Sequence, residues 1–316
     1  MSIKIFVDGQ EGTTGLKIHH YLSGFADVEL LAIDPALRKD AAARSRLLNA
    51  ADIAILCLPD AAARESVALV TNPATRIMNT STAFRTDPAW AYGLPELHGQ
   101  RERIASAARV SVPGCHATGF IAALRPLVEA GIVPHDYPVA SYAVTGYTGG
   151  GKQRIAQYES PAFAAEHQLQ APRHYALLHD HKHIPEMRLY AGLSFDPLFT
   201  PVIANYPQGS AVAVPLMSRL LGRNASAKDA HEALAAYYDG EPFIRVMPFD
   251  AAAELDEGHF PIMALNDTNR LELFVFGGAD RFTVLSRFDN LGKGAAGAAI
   301  QNMNLMLGRD ERTGLT

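Results

Sequence analysis

One of the two cysteines in this 316-residue chain stands where a thiol can do chemistry. Cys115 lies in Ser111-Val112-Pro113-Gly114-Cys115-His116-Ala117-Thr118, where a short apolar run ends at Pro113-Gly114 and a helix-spaced apolar stretch begins. The start of a helix is the positive end of its dipole, which stabilises a thiolate and favours nucleophilic attack at neutral pH. Cys57 lies instead within Ile53-Ala54-Ile55-Leu56-Cys57-Leu58, which reads as a buried strand. It is assigned to packing near a cofactor, without chemistry.

A cysteine nucleophile calls for an acid-base partner. His179-Asp180-His181-Lys182-His183-Ile184-Pro185-Glu186 offers three candidates in five residues. In an extended segment the alternating histidines share a face, so metal binding has to be weighed. No acidic or cysteine ligand is clearly paired with them, and no metal is expected. Pro185 suits the first turn of a helix, which leaves His183 at a loop-to-helix junction, able to aim its ring into a cleft. A third element is Thr145-Gly146-Tyr147-Thr148-Gly149-Gly150-Gly151-Lys152, whose glycine N–H groups can form an anion-binding nest beside the Lys152 charge. It suits phosphate or carboxylate, with a flexible loop as the alternative.

Near the start, Gly9-Gln10-Glu11-Gly12-Thr13-Thr14-Gly15 follows an apolar run and opens a helical stretch. Glycines at a strand-to-helix turn let the backbone approach a pyrophosphate, whose charge the helix N-terminus favours. The spacing is Gly-x-x-Gly-x-x-Gly rather than the usual Gly-x-Gly-x-x-Gly. Asp34 falls where an acid would hold the ribose hydroxyls of NAD, whereas Arg38 and Lys39 would suit the 2′-phosphate of NADP. An exposed turn and helix start would account for the same side chains.

These groups need elements to hold them. At about 150 residues per domain the length implies two domains. A net charge of −5 disfavours a nucleic-acid binder, and 48% hydrophobic with 19% charged residues indicates a globular chain. Two cysteines are too few for a disulfide framework or a cysteine-based zinc site. The segment Met1 to Asp8 reads as neither a signal peptide nor a span, and no apolar stretch reaches the roughly 20 residues of a membrane helix, so a cytoplasmic enzyme is expected. Up to about residue 115, short apolar runs at 3–7, 28–33, 52–58, 76–79 and 109–112 alternate with helical stretches, beginning with Leu16 to Ser23. That rhythm predicts a parallel doubly wound sheet. An apolar helix, about His116 to Ala130, follows, and then β-type runs at 139–144, 199–205, 211–216, 243–247, 271–276 and 282–288. The last two flank a hairpin connection, Gly277 to Asp280. A mostly antiparallel or mixed sheet with helices on one face is expected. One helix starts at the Ser226/Asp229 capping box and stops at Gly240, and a final one runs from about Lys293 to Leu307.

The set Gly9/Gly12/Gly15, Val112-Pro113-Gly114-Cys115, Thr145 to Lys152, His183-Ile184-Pro185-Glu186 and Asp289-Asn290-Leu291-Gly292-Lys293-Gly294-Ala295-Ala296 resembles the N-acetyl-gamma-glutamyl-phosphate reductase family in its short form (type 2). The resemblance covers essentially the whole chain in order, with Ser81-Thr82-Ala83-Phe84-Arg85 and Tyr92-Gly93-Leu94-Pro95-Glu96 as supporting matches. It implies an α/β fold: a Rossmann-type doubly wound sheet plus a second α+β domain like that of glyceraldehyde-3-phosphate dehydrogenase. The expected division is 1–114 with 290–316 for NAD(P) binding and 115–289 for catalysis and oligomerisation. The implied reaction is NADPH-dependent reductive dephosphorylation of N-acetyl-L-glutamyl 5-phosphate to the 5-semialdehyde through a cysteine thioester, in arginine biosynthesis. Cys115 is the implied nucleophile and His183 the acid-base residue. Gly9, Gly12, Thr13, Thr14, Gly15, Arg38 and Asn290 are expected at the cofactor, which is NADP, with NAD as the alternative. Arg85, Lys152 and Gly149 are expected at the substrate, Arg85 being equally readable as a structural ion-pair residue. A homodimer or homotetramer is implied. Where longer relatives have Phe-Pro-Arg-Gly, this chain has Tyr206-Pro207-Gln208-Gly209, which puts a substrate role there in doubt. The competing readings are another acyl-phosphate reductase, of aspartate-semialdehyde or amino-adipate type, a cofactor-binding regulator without chemistry, and a cofactor-free Cys-His hydrolase.

Overall fold

A computed structural model describes residues 2–249 and 251–316; Met1, which opens the N-terminal reading, and Asp250 lie outside the described residues. The chain forms two compact units, Met1–Gly114 with Ala295–Thr316, and Cys115–Gly294.

In the first unit, strands β1 (Ile3–Asp8), β2 (Val28–Leu31), β3 (Ile53–Leu56), β4 (Arg76–Asn79), β5 (Ala91–Tyr92) and β6 (Arg109–Ser111) lie in the order β2-β1-β3-β4-β6-β5. Every pairing is parallel. The doubly wound parallel sheet expected from the alternating rhythm is therefore present. Its helices are α1 (Thr13–Leu22), α2 (Ala41–Ala50), α3 (Asp60–Leu69) and α4 (Gln100–Ser106). All four residues of β3 are buried, because a parallel sheet is covered on both faces. Helix α1 begins at Thr13, directly after the glycine loop, three residues before the apolar periodicity becomes visible at Leu16. The two-residue edge strand β5 is too short for any periodicity to announce it.

The strand order turns at β1, which has β2 on one side and β3 on the other. In such sheets ligands bind beyond the carboxyl end of the strand at this switch point. That is where Gly9 lies.

The C-terminal helix Gly297–Met306 belongs to this unit and is buried at all ten positions. Its amide nitrogens find partners inside the unit: Gln301 Nε2 donates to Glu96 and Glu311 at 2.8 Å each, and Asn302 Nδ2 to the Gly93 carbonyl at 2.9 Å. Arg76 closes the edge of this core. Its guanidinium donates to the carbonyls of Ala105 (2.8 Å), Ala107 (2.6 and 2.9 Å), Ile104 (3.2 Å) and Met306, tying the ends of α4 and of the last helix to β4. A cation at helix C-termini also meets the negative ends of their dipoles. Arg76→Ala is expected to lower stability by about 2–3 kcal/mol, because carbonyls lose a charged donor. The single tryptophan, Trp90, is buried and stacked on Phe84 at 4.3 Å in the same unit, so urea unfolding followed by its fluorescence checks this. An unchanged midpoint would show that the clamp carries no net stability.

The second unit opens with α5 (Cys115–Glu129), followed by β7 (Ala140–Gly146), α6 (Gly151–Glu159), α7 (Pro161–Glu166), β8 (Arg173–His174) and α8 (Ile184–Ala191). Then come β9 (Leu198–Ala204), β10 (Ser210–Met217), α9 (Ala227–Tyr237), β11 (Ile244–Val246), β12 (Leu271–Gly277) and β13 (Arg281–Phe288). Its sheet has the order β11-β12-β13-β10-β7-β9-β8 and is mixed, as expected: β7/β9 and β11/β12 are parallel, the rest antiparallel. The 277–280 hairpin and the Ser226/Asp229 capping box are both present. Helix α9 stops at Tyr237, earlier than Gly240 suggests, since Gly240 (φ +78°) serves a turn closed by the Glu241 N–H on the Tyr238 carbonyl. The expected helix from Lys293 is divided: Gly292–Ala296 is a π turn, with the Gly294 N–H bonded to the Asp289 carbonyl, before the α-helix starts at Gly297.

Helix α5 carries Pro126 in its interior, which removes a donor to the Ala122 carbonyl. The Tyr238 hydroxyl donates to that carbonyl at 2.9 Å and restores the bond. The helix that begins at Cys115 thus stays intact across its proline.

Candidate active site

Cys115 is the first residue of α5 and is partly exposed, so its thiol stands at the positive end of the helix dipole. The π turn lies beneath it. A Cβ at Gly294 would sit 2.9 Å from the Cys115 Cβ and 3.2 Å from the Asp289 carbonyl oxygen. Gly294→Ala is therefore expected to push Cys115 out of place and cut kcat by about tenfold to 10²-fold, while the far-ultraviolet circular dichroism is kept. Unchanged kcat would mean that the π turn yields instead. Cys57 differs: burial, its largest influence, pushes its thiol up to about 12. It is a poor nucleophile, consistent with its assignment to packing.

His183 immediately precedes α8, with Pro185 in the first turn of that helix, and is buried. Its N–H donates to His181 Nδ1 at 3.1 Å, and the two rings meet edge-on with centroids 4.6 Å apart. Helix α8 packs along α5. Between them lies His116, its ring 5.8 Å from that of His183, 5.5 Å from His181 and 5.3 Å from Phe199. Burial, and secondarily His181, pulls His116 down to about 3, so its ring is neutral. The His116 Nε2 pairs with the Tyr175 hydroxyl at 2.7 Å. His179, the third histidine of the sequence cluster, is exposed with φ +57° and joins none of these contacts. Among the described residues no group of three or more His, Cys, Asp or Glu is arranged to hold a metal.

The loop from Thr145 to Lys152 is built as the end of β7, a 3₁₀ turn at Tyr147–Gly150 and the start of α6. Lys152 and Gly149 are exposed. Asn290 clips this loop to the next: its Oδ1 accepts the Gly209 N–H at 2.8 Å and its Nδ2 donates to Thr148 Oγ1 at 3.2 Å. A Cβ on Gly149 would lie 3.4 Å from Asn290 Nδ2. Gln208 donates to Asp267 at 3.0 Å, so in this chain the position departing from Phe-Pro-Arg-Gly serves a loop contact. The hydroxyl of Thr145, buried beside Gly149, has no partner among the described residues.

The glycine loop of the first unit is tightly closed. Gly9 has φ +91°, and a Cβ there would lie 2.3 Å from the Cys57 carbonyl oxygen, which no other residue tolerates. A Cβ at Gly15 would lie 2.6 Å from the Gly9 carbonyl oxygen. Gly12 caps α1 with no side-chain bond and no acid follows in the first turn, while the buried Thr13 hydroxyl has no partner among the described residues. A helix N-terminus with idle donors and a closely approachable backbone fits a dinucleotide pyrophosphate. The Asp34 carboxylate accepts the Ala36 N–H at 2.8 Å, and Arg38 pairs with Glu11 of the loop. Arg85 is buried and donates to the carbonyls of Val112 and Thr80 at 2.9 Å each. It acts as a strut for the strand end that leads to Cys115, through bonds to main-chain carbonyls.

Three groups escape a sequence reading. His116 stands next to Cys115, but one step along a helix turns a side chain by about 100°, so adjacency does not predict its partners. Tyr175 lies in a polar loop without a motif. Asp8, at the end of β1, is buried and accepts from Arg44 at 2.9 and 3.2 Å and from Ser66 at 2.9 Å, a network that only the fold assembles.

Two family models match the chain: "Semialdehyde dehydrogenase, NAD binding domain" over residues 7–107 and "Semialdehyde dehydrogenase, dimerisation domain" over residues 115–290. Among curated proteins, it is 47% identical to N-acetyl-gamma-glutamyl-phosphate reductase 2 of a Nostoc species, over 99% of both chains. It is 48% identical to N-acetyl-gamma-glutamyl-phosphate reductase 2 of Pseudomonas putida, over 96% of both, and 49% identical to N-acetyl-gamma-glutamyl-phosphate reductase of Burkholderia orbicola, over 96% of this chain and 97% of that one. Among solved structures, aspartate semialdehyde dehydrogenase from Francisella tularensis superposes with a TM-score of 0.70 at 12% identity, over 96% of this chain and 100% of that one. Aspartate semialdehyde dehydrogenase II from Vibrio cholerae gives 0.68 at 14%, over 97% and 98%. At such identities these two speak for the fold.

Proposed function

The chain belongs to the N-acetyl-gamma-glutamyl-phosphate reductase family, and we propose from that membership and from the site around Cys115 how it performs the reaction. It is an oxidoreductase of amino-acid biosynthesis, which reduces N-acetyl-L-glutamyl 5-phosphate with loss of phosphate in the making of arginine. The observation that carries the mechanism is a thiol at the first residue of α5 with the buried His183 immediately before the neighbouring helix α8.

The Cys115 thiolate attacks the acyl-phosphate carbonyl, the C–O bond to phosphate breaks, and a thioester remains on the sulfur. A reduced nicotinamide held by the loop of Gly9, Gly12 and Gly15 would supply a hydride, which the thioester carbon on Cys115 would take up to give a thiohemiacetal oxyanion. His183, protonated, gives its proton to the oxyanion so formed. As a base it then takes the hydroxyl proton back while the carbon–sulfur bond breaks, which releases the semialdehyde and restores the thiolate. Lys152 and the N–H groups around Gly149 receive the substrate's phosphate or carboxylate, a role supported by their exposure on the nest-like turn. Arg85 supports the main chain that leads to Cys115.

Gly9, Gly12, Gly15, Thr13 and Thr14 would hold the pyrophosphate of the dinucleotide, with Asn290 ordering the loops of the second unit. The cofactor is NADPH in this reading. Its support is the basic pair Arg38 and Lys39 beyond β2, together with the use of Asp34 to cap a turn. The dimerisation-domain match and the exposed apolar side chains Tyr142, Leu198 and Met217 on β7, β9 and β10 support a homodimer or homotetramer. A thiolate nucleophile suits the reducing cytoplasm.

The test is a steady-state assay in the reverse direction with N-acetylglutamate semialdehyde, phosphate and either NADP or NAD. Phosphate-dependent reduction of NADP is expected to be the faster. A preference for aspartate semialdehyde or an amino-adipate analogue would transfer the substrate assignment within the same chemistry.

A further inference from the structure

We propose, on the reading that the Thr145 to Lys152 turn receives the substrate, that Thr145 and Asn290 form a two-donor slot beside Gly149 which binds one anionic oxygen of that substrate.

The slot is marked by the side chain that Gly149 lacks. A Cβ built there would have as its nearest neighbours beyond the turn's own backbone Asn290 Nδ2, at 3.4 Å, and Thr145 Oγ1, at 3.9 Å. Both side chains are buried, Asn290 at 2% and Thr145 at 3% exposure, while Gly149 is exposed. Both atoms are donors with a hydrogen to give. The Thr145 hydroxyl has no hydrogen-bond partner among the described residues. In Asn290 the Gly209 N–H, 2.8 Å from Oδ1, fixes which end of the amide is oxygen. Of the two hydrogens on Nδ2, one goes to Thr148 Oγ1 at 3.2 Å, and Thr148 in turn gives its own hydrogen to the Pro207 carbonyl at 2.6 Å. The second Nδ2 hydrogen has no acceptor among the described residues. A buried hydroxyl left unbonded costs stability, and a ligand oxygen seated over Gly149 recovers it. Two donors select an acceptor, and an anion accepts most strongly. Lys152, exposed in the same turn, adds a positive charge.

Strand register places the slot on the Cys115 side of the sheet. Thr145 lies opposite Ser210 in the β7/β10 pair, and Ser210 opposite Phe288 in the β10/β13 pair, so the three side chains form one row on one face. The Phe288 ring lies 3.2 Å from the point where a Cβ at Gly294 would sit, and the same point is 2.9 Å from the Cys115 Cβ. Thr145 is thus two strands, about 10 Å, along the row from the residue that packs beneath the nucleophile. An acyl phosphate reacting at Cys115 carries its phosphoryl group on one side of the reacting carbon and its carboxylate at the other end. Either can supply the oxygen.

The measurement is the reverse steady-state assay on the full chain, with phosphate and N-acetylglutamate semialdehyde varied separately. Thr145→Val, which keeps the shape and loses the hydroxyl, is expected to raise one of these two KM values by about tenfold to 10²-fold, the size of a hydrogen bond to a charged group, with kcat within a few-fold. Since that hydroxyl has no partner to lose, Tm of the ligand-free variant should stay level or rise. Gly149→Ala puts a methyl group in the slot at ordinary contact distances and should raise the same KM, while Thr145→Ser should return it to within a few-fold of the parent. A rise for phosphate assigns the oxygen to the phosphoryl group, a rise for the semialdehyde to the carboxylate, and either supports the slot. Both KM values unchanged, or a rise confined to NADP, overturns it. A fall in Tm with kcat and both KM values disturbed together would make Thr145 a structural residue and overturns it as well. Should Thr145→Val fail to fold, Gly149→Ala decides alone. A parent that does not turn over the semialdehyde refutes the substrate reading itself, whereas an active parent with unchanged variants refutes the slot alone.

Discussion

Cys115→Ala abolishes turnover: phosphate-dependent reduction of NADP by N-acetylglutamate semialdehyde falls by about 10⁴-fold or more, the scale on which covalent catalysts lose their nucleophile. Alanine keeps helix propensity at the head of α5 and removes one sulfur from a partly exposed site, so circular dichroism should be unchanged. No second thiol can take over. Cys57 lies in the other unit, beside the glycine loop, and burial holds it protonated far above neutral pH. Cys57→Ala is the matched control and should leave kcat within a few-fold. Activity surviving in Cys115→Ala with the fold intact would remove the thioester from the mechanism and leave the family assignment to be met by other chemistry.

What the sequence makes legible is local. A glycine loop between a β run and a helix, a cysteine after Pro-Gly, and a histidine before Ile-Pro each announce a junction between elements, and junctions are where main-chain geometry presents side chains. Cys115 and Gly9 could be placed on such junctions because each signal lies within a few residues of its neighbours. His116, Tyr175 and Phe199 come from three separated stretches and meet only when β9 and α8 are in place, so no spacing rule reaches them. The Tyr238 bond to the carbonyl freed by Pro126 is of the same kind: it joins residues more than 100 positions apart and explains why a proline does not break α5. The π turn at Gly292 was hidden because its i→i+5 bond falls inside a segment whose composition reads as ordinary helix. Arg85 has bonds that its sequence context does not announce. Its sequence context points to a substrate anion or an ion pair, yet two of its bonds end on main-chain carbonyls, because burial at a strand end leaves those acceptors nearest.

His183→Asn is expected to lose roughly 10²-fold or more in kcat, the range of general acid-base catalysis, with KM little changed. Asparagine suits the position before α8: it is small and a favourable helix cap, so the helix and its packing on α5 should persist. The main-chain N–H that binds His181 Nδ1 is also retained, which keeps the local backbone. The loss should fall on one part of the cycle. Phosphate is a good leaving group and departs without a proton from His183, so acylation of Cys115 remains fast and a burst of about one phosphate per active site should precede slow turnover. The later collapse of the thiohemiacetal requires a base, and there the variant stalls. The dependence of kcat on the protonation of His183 should vanish along with the rate. An unchanged rate and profile would move the proton to His181, whose ring lies 4.6 Å away, or to water. A variant slow without the phosphate burst would instead place His183 in the activation of the thiol, reversing the order of its two proton transfers.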